Sequence, residues 1–351
     1  MNAYESMSQS MPAGHAAGSP LAEAHDVLRR LFERVSEAVI GRDEVIELVL
    51  IALVADGHVL LEDFPGSGKT TLARALGESI LDDRPEPDRG FIERFRRVQF
   101  TPDLRPSDIT GTSVFVPATG ALRFAPGPVF AHVLLADEIN RTSPKVQAAL
   151  LEAMAEKQVT VDDGTRGLDD LFFVIATQNP LDLVGTYPLP VAQLDRFLFK
   201  IRMKHIDRDA ELKVLRTLEQ RSRGHWAERP GASRSEVLRT RAVVREQVFV
   251  HDLIREAVVD VARGLREDPR VLQGVSTRAL VLAIPALQTR AMLYGRAYVD
   301  GSDLGAILPH VFSHRLELGS GSAEPGPVIA DALGPAIEKL ARATLRGGAA
   351  G

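Results

Sequence analysis

The chain has 351 residues, of which 45% are hydrophobic and 25% charged, and it carries a formal net charge of −5 and no cysteine. The length predicts about two domains, the lack of cysteine excludes disulfides and cysteine catalytic or metal sites, and the charge lacks the basic footprint of a dedicated nucleic-acid binder. Because no apolar run has the length of a membrane span and the N-terminus does not resemble a secretory signal, we expect a cytoplasmic protein with no membrane span.

The N-terminal stretch, about residues 1–20, is rich in Ser, Ala, Gly, Met and Pro without a period, which predicts a disordered tail. From Leu21 apolar residues recur at helical spacing, and two helices are predicted that end near Gly41 and Ala55. They lead into the apolar run 58–61, which is short enough for a buried strand.

A glycine-rich loop, DFPGSGKTT at 63–71, follows this strand and opens a helix. Strand, glycine loop and helix is the order of a phosphate-binding loop, because N–H groups at a helix N-terminus carry a partial positive charge. Gly66 and Gly68 would let the backbone approach phosphates, Lys69 would reach their oxygens and Thr70 would ligate Mg²⁺. The full pattern has glycine where this chain has Asp63, so a plain glycine turn is the alternative for this stretch taken alone.

Apolar strands alternate with helices from this loop to about residue 204. The strands are predicted at 58–61, 95–100, 131–136, 172–177 and 197–201, with hairpins at 113–124 and 158–164 and a helix that Ser143 caps. Continuous apolar strands separated by helices imply a doubly wound α/β domain with a parallel sheet, into which the hairpins are inserted.

The strand signal disappears from about Ile206. Helices are predicted at about 208–220, 248–266, 277–295, 302–311 and 328–343, and a polar stretch at 221–236 joins the first two. We therefore expect a second, smaller, all-α domain. The predicted division is a tail at 1–20, an α/β domain at 21–204, the helical domain at 205–345 and a flexible tail at 346–351.

Two acidic residues, Asp137 and Glu138, follow the buried run 133–136. The carboxyl ends of strands in an open α/β sheet are where ligands bind. In a nucleotide hydrolase Asp137 would hold the Mg²⁺ shell, and Glu138 would orient and deprotonate the attacking water. An ordinary acidic turn is the alternative for this pair alone, but it is much less favoured once a phosphate loop precedes it in the same sheet.

Three further polar residues could complete such a site. Asn179 follows a neighbouring strand and could hydrogen-bond the water or the γ-phosphate, although Asn179-Pro180 could merely start a turn. Arg196 precedes the last strand and could serve a neighbouring subunit as an arginine finger, or belong to a surface charge cluster with Asp195. Arg278 opens a helix of the second domain and could reach the γ-phosphate, although an arginine in a first helical turn is also unremarkable.

Together these residues resemble the AAA+ ATPases, and within them the MoxR family, over about residues 21–318. The most specific stretches are 134–141 (LLADEINR), 147–154 (QAALLEAM), 175–180 (IATQNP), 192–197 (AQLDRF), 99–104 (QFTPDL) and 107–111 (SDITG). The resemblance implies a AAA+ core with a helical lid, ATP bound between them, and a ring, usually a homo-hexamer, with active sites between subunits.

The resemblance also implies the roles of individual residues. Asn179 would be the first sensor, Arg196 the finger and Arg278 the second sensor, which with Glu138 make the catalytic set. The nucleotide would contact Ile40, Gly41, Pro65, Gly66, Ser67, Gly68, Lys69, Thr70, Thr71 and Asp137, with Thr70 and Asp137 on Mg²⁺. The hairpin at 113–124 matches the insert that family members carry within the second helix.

The activity implied by the resemblance is Mg²⁺-dependent ATP hydrolysis that drives chaperone-like remodelling of a partner protein, often one with a von Willebrand factor A domain. A nucleic-acid motor of a related clade with the same insert, the ATPase subunit of a metal chelatase and a nucleotide-bound scaffold are the alternatives. The low pI, near 6.0, argues against the motor, and no stable nucleic-acid partner is expected. Asp63, Val191 and Thr277 depart from the family pattern, in which glycine, glutamate and proline respectively are common.

Overall fold

The structure is a computed structural model that describes residues 18–62, 66–86, 90–162, 164–180, 185–219, 225–319 and 324–348. Asp63 and Pro65 lie outside these ranges, as do residues 1–17 of the predicted N-terminal tail and residues 349–351 of the predicted C-terminal tail. The described part begins with a helix at Pro20 and ends with a helix that includes residues 346–348 of that second tail.

Strands are named in chain order. They are β1 (Val59–Glu62), β2 (Ile80–Leu81), β3 (Glu93–Gln99), β4 (Gly111–Val116), β5 (Ala121–Pro126), β6 (Ala131–Asp137), β7 (Gln158–Val161), β8 (Gly164–Gly167), β9 (Phe173–Gln178), β10 (Phe199–Arg202), β11 (Ala232–Ser233), β12 (Val271–Gln273) and β13 (Glu317–Leu318). The central sheet has the order β10, β1, β9, β6, β3, and all its strand pairs are parallel. This order places the carboxyl ends of β1, β9 and β6 side by side at one edge of the sheet.

Helices within the described residues are also named in chain order. They are α1 (Pro20–Ala38), α2 (Asp43–Val54), α3 (Lys69–Ser79), α4 (Pro106–Thr110), α5 (Pro144–Glu156), α6 (Val191–Leu194), α7 (Arg208–Arg216), α8 (Arg234–Gln247), α9 (Asp252–Glu267), α10 (Thr277–Leu293), α11 (Gly301–Phe312) and α12 (Pro325–Gly348). Short 3₁₀ turns lie at Ile139–Arg141, His225–Glu228 and Ser313–Arg315.

The sheet is buried on both faces because alternate residues of each strand point to opposite sides. On one face Leu61, Leu135 and Ile175 join an apolar cluster with α1, α2, α3 and the C-terminal helices. On the other face Leu60 and Leu134 pack with α5 and the loops around it. The predicted parallel, doubly covered sheet is confirmed, and both predicted hairpins are present as β4 with β5 and β7 with β8.

The C-terminal half is helical as predicted, and it also contains three short strands: β11 pairs with β2, and β12 pairs with β13. One prediction here is wrong: the polar joining stretch does not extend to residue 236, because Ser233 and Glu236 form a capping box that begins α8. Apolar spacing does not predict this helix, because it is strongly charged and buries only four residues, among them Val237 and Val244.

Candidate nucleotide-binding site

The loop after β1 has the backbone of an anion-binding turn. Gly66 and Gly68 have φ values of 90° and 94°, a region that L side chains adopt with strain. Gly68 is the residue before α3, so no side chain caps the helix and its first N–H groups face the loop. The Ser67 hydroxyl is buried and has no hydrogen-bond partner among the described residues. Free N–H groups and an unpaired hydroxyl at a helix N-terminus suit a phosphate group.

A cavity of about 380 Å³ lies beside this loop. Its lining combines the α1–α2 connection, the loop, and the chain after β10: Ala38, Val39, Ile40, Arg42, Gly66, Ser67, Gly68, Thr71, Met203, Lys204, His205, Ile206, Glu211 and Val214. The apolar part of this lining, with Ile40 and Ile206, is suited to a flat apolar ring such as a nucleobase. Gly41 has φ of 71°, and a Cβ there would lie 2.6 Å from the Cβ of Ala210, so only glycine lets the two segments approach so closely.

Asp137 ends β6 and Glu138 follows it, and the two are linked through Thr177 of the neighbouring strand β9. The Thr177 hydroxyl donates to Asp137 Oδ1 at 2.7 Å and accepts the Glu138 N–H at 2.8 Å. Glu138 has φ of 58° and ψ of 50°, a left-handed conformation that is uncommon outside glycine. Surrounding contacts must hold such a residue in place, and Thr177 holds both the Asp137 carboxylate and the backbone of Glu138.

Cationic and amide groups face the two carboxylates. Arg97 Nη2 lies 2.7 Å from Asp137 Oδ2, so the position beside this carboxylate is suited to a positive charge. Gln99 Nε2 donates to Glu138 Oε2 at 2.6 Å, and Arg141 Nε lies 3.1 Å from the same oxygen. Arg97 and Gln99 both lie on β3, next to β6, and they orient the carboxylates from the side of the sheet away from β9.

The strand order brings the remaining residues of this edge together. Gln178, at the end of β9, donates to Glu62 Oε1 at 2.6 Å, and Lys200 of β10 contacts the same oxygen at 2.8 Å. Asn179 is the next residue, partly buried, and leaves the sheet between the phosphate loop and Glu138. The structure thus places the loop, Asp137, Glu138 and Asn179 at one edge.

Arg196 and Arg278 are positioned by other elements. Arg196 Nη1 donates to the Leu151 carbonyl in α5 at 2.7 Å. The surface pair of Asp195 with Arg196 is not formed, since Asp195 instead binds Arg315 at 2.6 Å. Arg278 is exposed in the first turn of α10.

Several residues of this edge were not predicted from the sequence as site residues. Thr177 reads as an ordinary strand residue, and Arg97 and Gln99 lie in a strand that alternates polar and apolar residues like a surface strand. The available signal was the polar residue Thr177 at the end of an otherwise apolar run. Its partner Asp137 is 40 positions away, so only the order of the strands shows the contact.

A magnesium site made entirely by protein side chains is not seen. Within the described ranges no group of three or more His, Cys, Asp or Glu residues could hold a metal ion. Mg²⁺ commonly uses one or two protein oxygens together with water and substrate phosphates, so the hydroxyl of Thr70 and the carboxylate of Asp137 are a suitable donor set. In the same described part of the chain, no helix combines the length and apolar character needed to cross a bilayer.

Comparison with protein families gives three matches along the chain. Residues 58–199 match the "ATPase family associated with various cellular activities (AAA)", and residues 263–333 match the "AAA lid domain". Residues 26–88 match the "MoxR domain in the MoxR-vWA-beta-propeller ternary systems". The first two matches fall on the parallel sheet and on the C-terminal helices, and they confirm the predicted α/β AAA+ fold with a helical lid.

Individual relatives extend over most of the chain. YeaC of Bacillus subtilis is 43% identical over 84% of this chain and 88% of that protein, and Chaperone MoxR1 of Mycobacterium tuberculosis is 37% identical over 88% and 79%. A crystal structure from Cytophaga hutchinsonii, described as that of a candidate ATPase, has a TM-score of 0.80 and 32% identity and covers 90% of this chain and 95% of its own. The resemblance inferred from the motifs is confirmed, and the chain belongs to the MoxR family of AAA+ ATPases and is an ATPase.

Proposed function

We propose that this ATPase requires Mg²⁺, works as a ring, and uses hydrolysis to remodel or activate a partner protein. The observation that carries the hydrolytic part of the proposal is the linked arrangement of Asp137, Thr177 and Glu138 beside the phosphate loop. A left-handed glutamate held by neighbouring side chains is a strained, pre-positioned group of the kind found at functional sites.

The residues have distinct proposed tasks. The N–H groups around Gly66 and Gly68 and the ammonium of Lys69 bind the phosphates. Thr70 and Asp137 hold Mg²⁺, which when bound neutralises charge on the phosphates. Glu138 accepts a proton from the attacking water, and Gln99 keeps its carboxylate oriented at 2.6 Å until then.

The nucleotide is proposed to bridge two units. The cavity beside the loop has walls from the proposed core, residues 21–204, and from the start of the proposed lid, residues 205–345. Ile40 belongs to the first wall, and Ile206 and Val214 belong to the second. A base held between them would tie the position of the lid to nucleotide occupancy, which is how hydrolysis could be converted into movement.

The ring is proposed because Arg196, the candidate finger, contacts neither Asp137 nor Glu138 of its own chain. Within the described residues Arg196 bonds to Leu151 in α5, whereas Asp137 and Glu138 bond to Arg97, Gln99, Thr177 and Arg141. An arginine finger supplied by a neighbouring subunit stabilises charge on the transferred phosphoryl group. We propose that Arg196 has this role, that Asn179 and Arg278 sense the nucleotide, and that the ring is a homo-hexamer.

A von Willebrand factor A-domain protein is the proposed partner. Support comes from the match of residues 26–88 to the MoxR domain of MoxR-vWA-beta-propeller systems, and from the name of the mycobacterial relative, a chaperone. The matched segment runs through α1, α2, β1 and α3, which carry the phosphate loop.

Glu138→Gln tests the hydrolytic and partner proposals together. It removes the proton acceptor while keeping the shape, so we expect ATP binding to persist and kcat to fall by about 100-fold or more. Without Mg²⁺, the wild type should be similarly inactive. Unchanged turnover in the purified variant would refute the role of Glu138.

The same variant, immobilised with ATP, should capture a purified von Willebrand factor A-domain protein. Lys69→Ala, which loses the ammonium at the phosphates, is the matched control and should capture none. Equal capture by both variants would show that binding is independent of nucleotide. ATPase activity that rises with added nucleic acid and loses that rise with salt would favour the nucleic-acid motor instead.

A further inference from the structure

One buried arginine joins the C-terminal helices to the segment that carries Arg196. Arg315 lies in the 3₁₀ turn after α11 and is only 2% exposed. Burying a guanidinium costs several kcal/mol unless its N–H groups are paired. Its Nε donates to Asp195 Oδ1 at 2.6 Å, and its Nη2 donates to the carbonyls of Asp195 at 3.0 Å and Phe197 at 2.6 Å.

These bonds surround Arg196 on both sides. Nη1 of the same guanidinium donates to the Leu198 carbonyl at 3.2 Å and to the Val311 carbonyl of α11. The residue before Arg196 and the two after it are therefore fixed by one side chain. Because the peptide units on either side are held, the direction in which the Arg196 side chain leaves the backbone depends on where Arg315 lies.

Asp195 has a second partner in the C-terminal helices. The Ser276 hydroxyl lies 3.3 Å from each carboxylate oxygen of Asp195. Ser276 is the N-cap of α10, and its hydroxyl accepts the Ala279 N–H at 3.2 Å. Arg278 is in the first turn of the same helix. Its positive charge acts on the buried guanidinium, whose pKa is lowered mainly by burial and further by Arg278, while Asp195 raises it.

We propose that Arg315 is a positioning residue for the finger Arg196, and that Asp195, shared by Arg315 and Ser276, transmits the position of α10 to that finger. The proposal rests on the proposed roles of Arg196 and Arg278. In each protomer Arg278 would contact the bound nucleotide, and the link through Asp195 would position the Arg196 side chain that enters the neighbouring site. Misplacing a catalytic group by about 1 Å can cost about 100-fold in rate, so small movements of α10 would suffice.

Asp195→Asn is the main test, because it removes the charge that binds Arg315 and keeps the side-chain size. We expect kcat per folded protomer to fall by about tenfold or more, short of the full effect of losing a finger, which is at least about 1,000-fold. Asp303→Asn is the matched control. Asp303 is buried and, like Asp195, it is paired with arginine, with Arg290 at 2.6 Å and Arg296 at 2.7 Å, but it lies in α11 away from the finger segment. It should lose stability and keep kcat.

Mixed rings locate the defect. Glu138→Gln has a dead site but an intact finger, so it should restore hydrolysis to Arg196→Ala, whose own site is complete. If Asp195→Asn damages the finger that a protomer donates, Glu138→Gln should restore it in the same way. Arg196→Ala should not restore it, because both variants then lack a working finger. In a random one-to-one mixture about a quarter of the interfaces would regain a complete site.

Ser276→Ala tests the link to α10 even where Asp195→Asn does not fold. It should lower kcat several-fold, and Glu138→Gln should restore that loss. Ser233→Ala removes the N-cap of α8 in the same manner, far along the chain from Asp195, and controls for the loss of a cap. The inference is wrong if Ser276→Ala and Ser233→Ala have the same kcat, or if Glu138→Gln restores Arg196→Ala but not Asp195→Asn. If Glu138→Gln does not restore even Arg196→Ala, the proposed finger itself fails.

Discussion

Thr177 shows how one hydroxyl organises the catalytic edge of this protein. It is fully buried, and it both donates to Asp137 and accepts from the backbone of Glu138. Removing a buried hydroxyl that makes two hydrogen bonds is costly in free energy, because its buried partners are left unpaired. The two hydrogen-bond partners of Thr177 are the proposed Mg²⁺ ligand and the proposed proton acceptor. Loss of its hydroxyl should therefore lower both the stability and the rate of hydrolysis.

Thr177→Val keeps the shape and removes the hydroxyl. We expect the free energy of unfolding to fall by about 1–3 kcal/mol because the Glu138 N–H loses its partner. We also expect a clear loss of kcat and a weaker apparent affinity for Mg²⁺. Chemical denaturation and steady-state ATPase assays would measure these changes. Thr289→Val is the control, since Thr289 is equally buried but donates only to the Pro285 carbonyl in its own helix. A kcat loss of the same size in both variants would contradict the role of Thr177.

At this scale the sequence predicts residue types at strand ends and misses their partners. Asp137 and Glu138 are predicted because they follow an apolar strand in the same sheet as a phosphate loop, at the strand end where open α/β sheets bind ligands. Thr177 and Arg97 were not, because threonine favours strands in general and an arginine on a polar strand is ordinary. Their meaning comes from contacts between strands that are neighbours in the sheet and distant in sequence.

Among the elements, α8 is joined to the α/β core by ion pairs. Arg234, its first residue, donates to both oxygens of Asp169 at 2.9 and 3.0 Å, and Arg84 contacts the same carboxylate at 2.9 Å. The Asp169 side chain is 1% exposed and also accepts the Leu171 N–H at 2.9 Å. The sequence does not predict this helix because its charged residues form ion pairs with the core, and the spacing of apolar residues does not reveal ion pairs.

Asp169→Asn should destabilise the protein by about 3–5 kcal/mol, since it leaves two arginines beside a neutral amide in a buried place. Urea unfolding would show a lower midpoint at an unchanged slope. The adjacent Asp170 is a natural control, because it is 81% exposed and lies 4.0 Å from Arg234. Asp170→Asn should change the free energy of unfolding by about 1 kcal/mol or less. Equal midpoints for the two variants would show that the ion pairs of Asp169 contribute no net stability.

For the whole molecule, the predicted α/β core with a helical lid is confirmed, and the structure shows how closely the core and the C-terminal helices are joined. One apolar cluster runs from the sheet residues Val133 and Ile175 through α1 and α2 into helices α8 to α12. In addition, α8 packs against α1, and α10 packs against α2. Sequence patterns show which residues of each part are apolar, but they do not show which helix faces meet. The shared apolar cluster could therefore not be predicted from the sequence.

Because the apolar cluster is shared, the core and the C-terminal helices should unfold together in a single transition. Nucleotide should shift that transition as a whole, since the cavity has walls in both parts. With Glu138→Gln and ATP at 100 times its Kd, we expect about 2.7 kcal/mol of added stability, measured by urea unfolding with hydrogen exchange as a probe of each part. Lys69→Ala, with the phosphate contact removed, should show no shift at the same ATP concentration. Two separate transitions, with only the core shifted by ATP, would mean that the C-terminal helices do not share in nucleotide binding, and the proposed transfer of lid position to the finger would then lose its source.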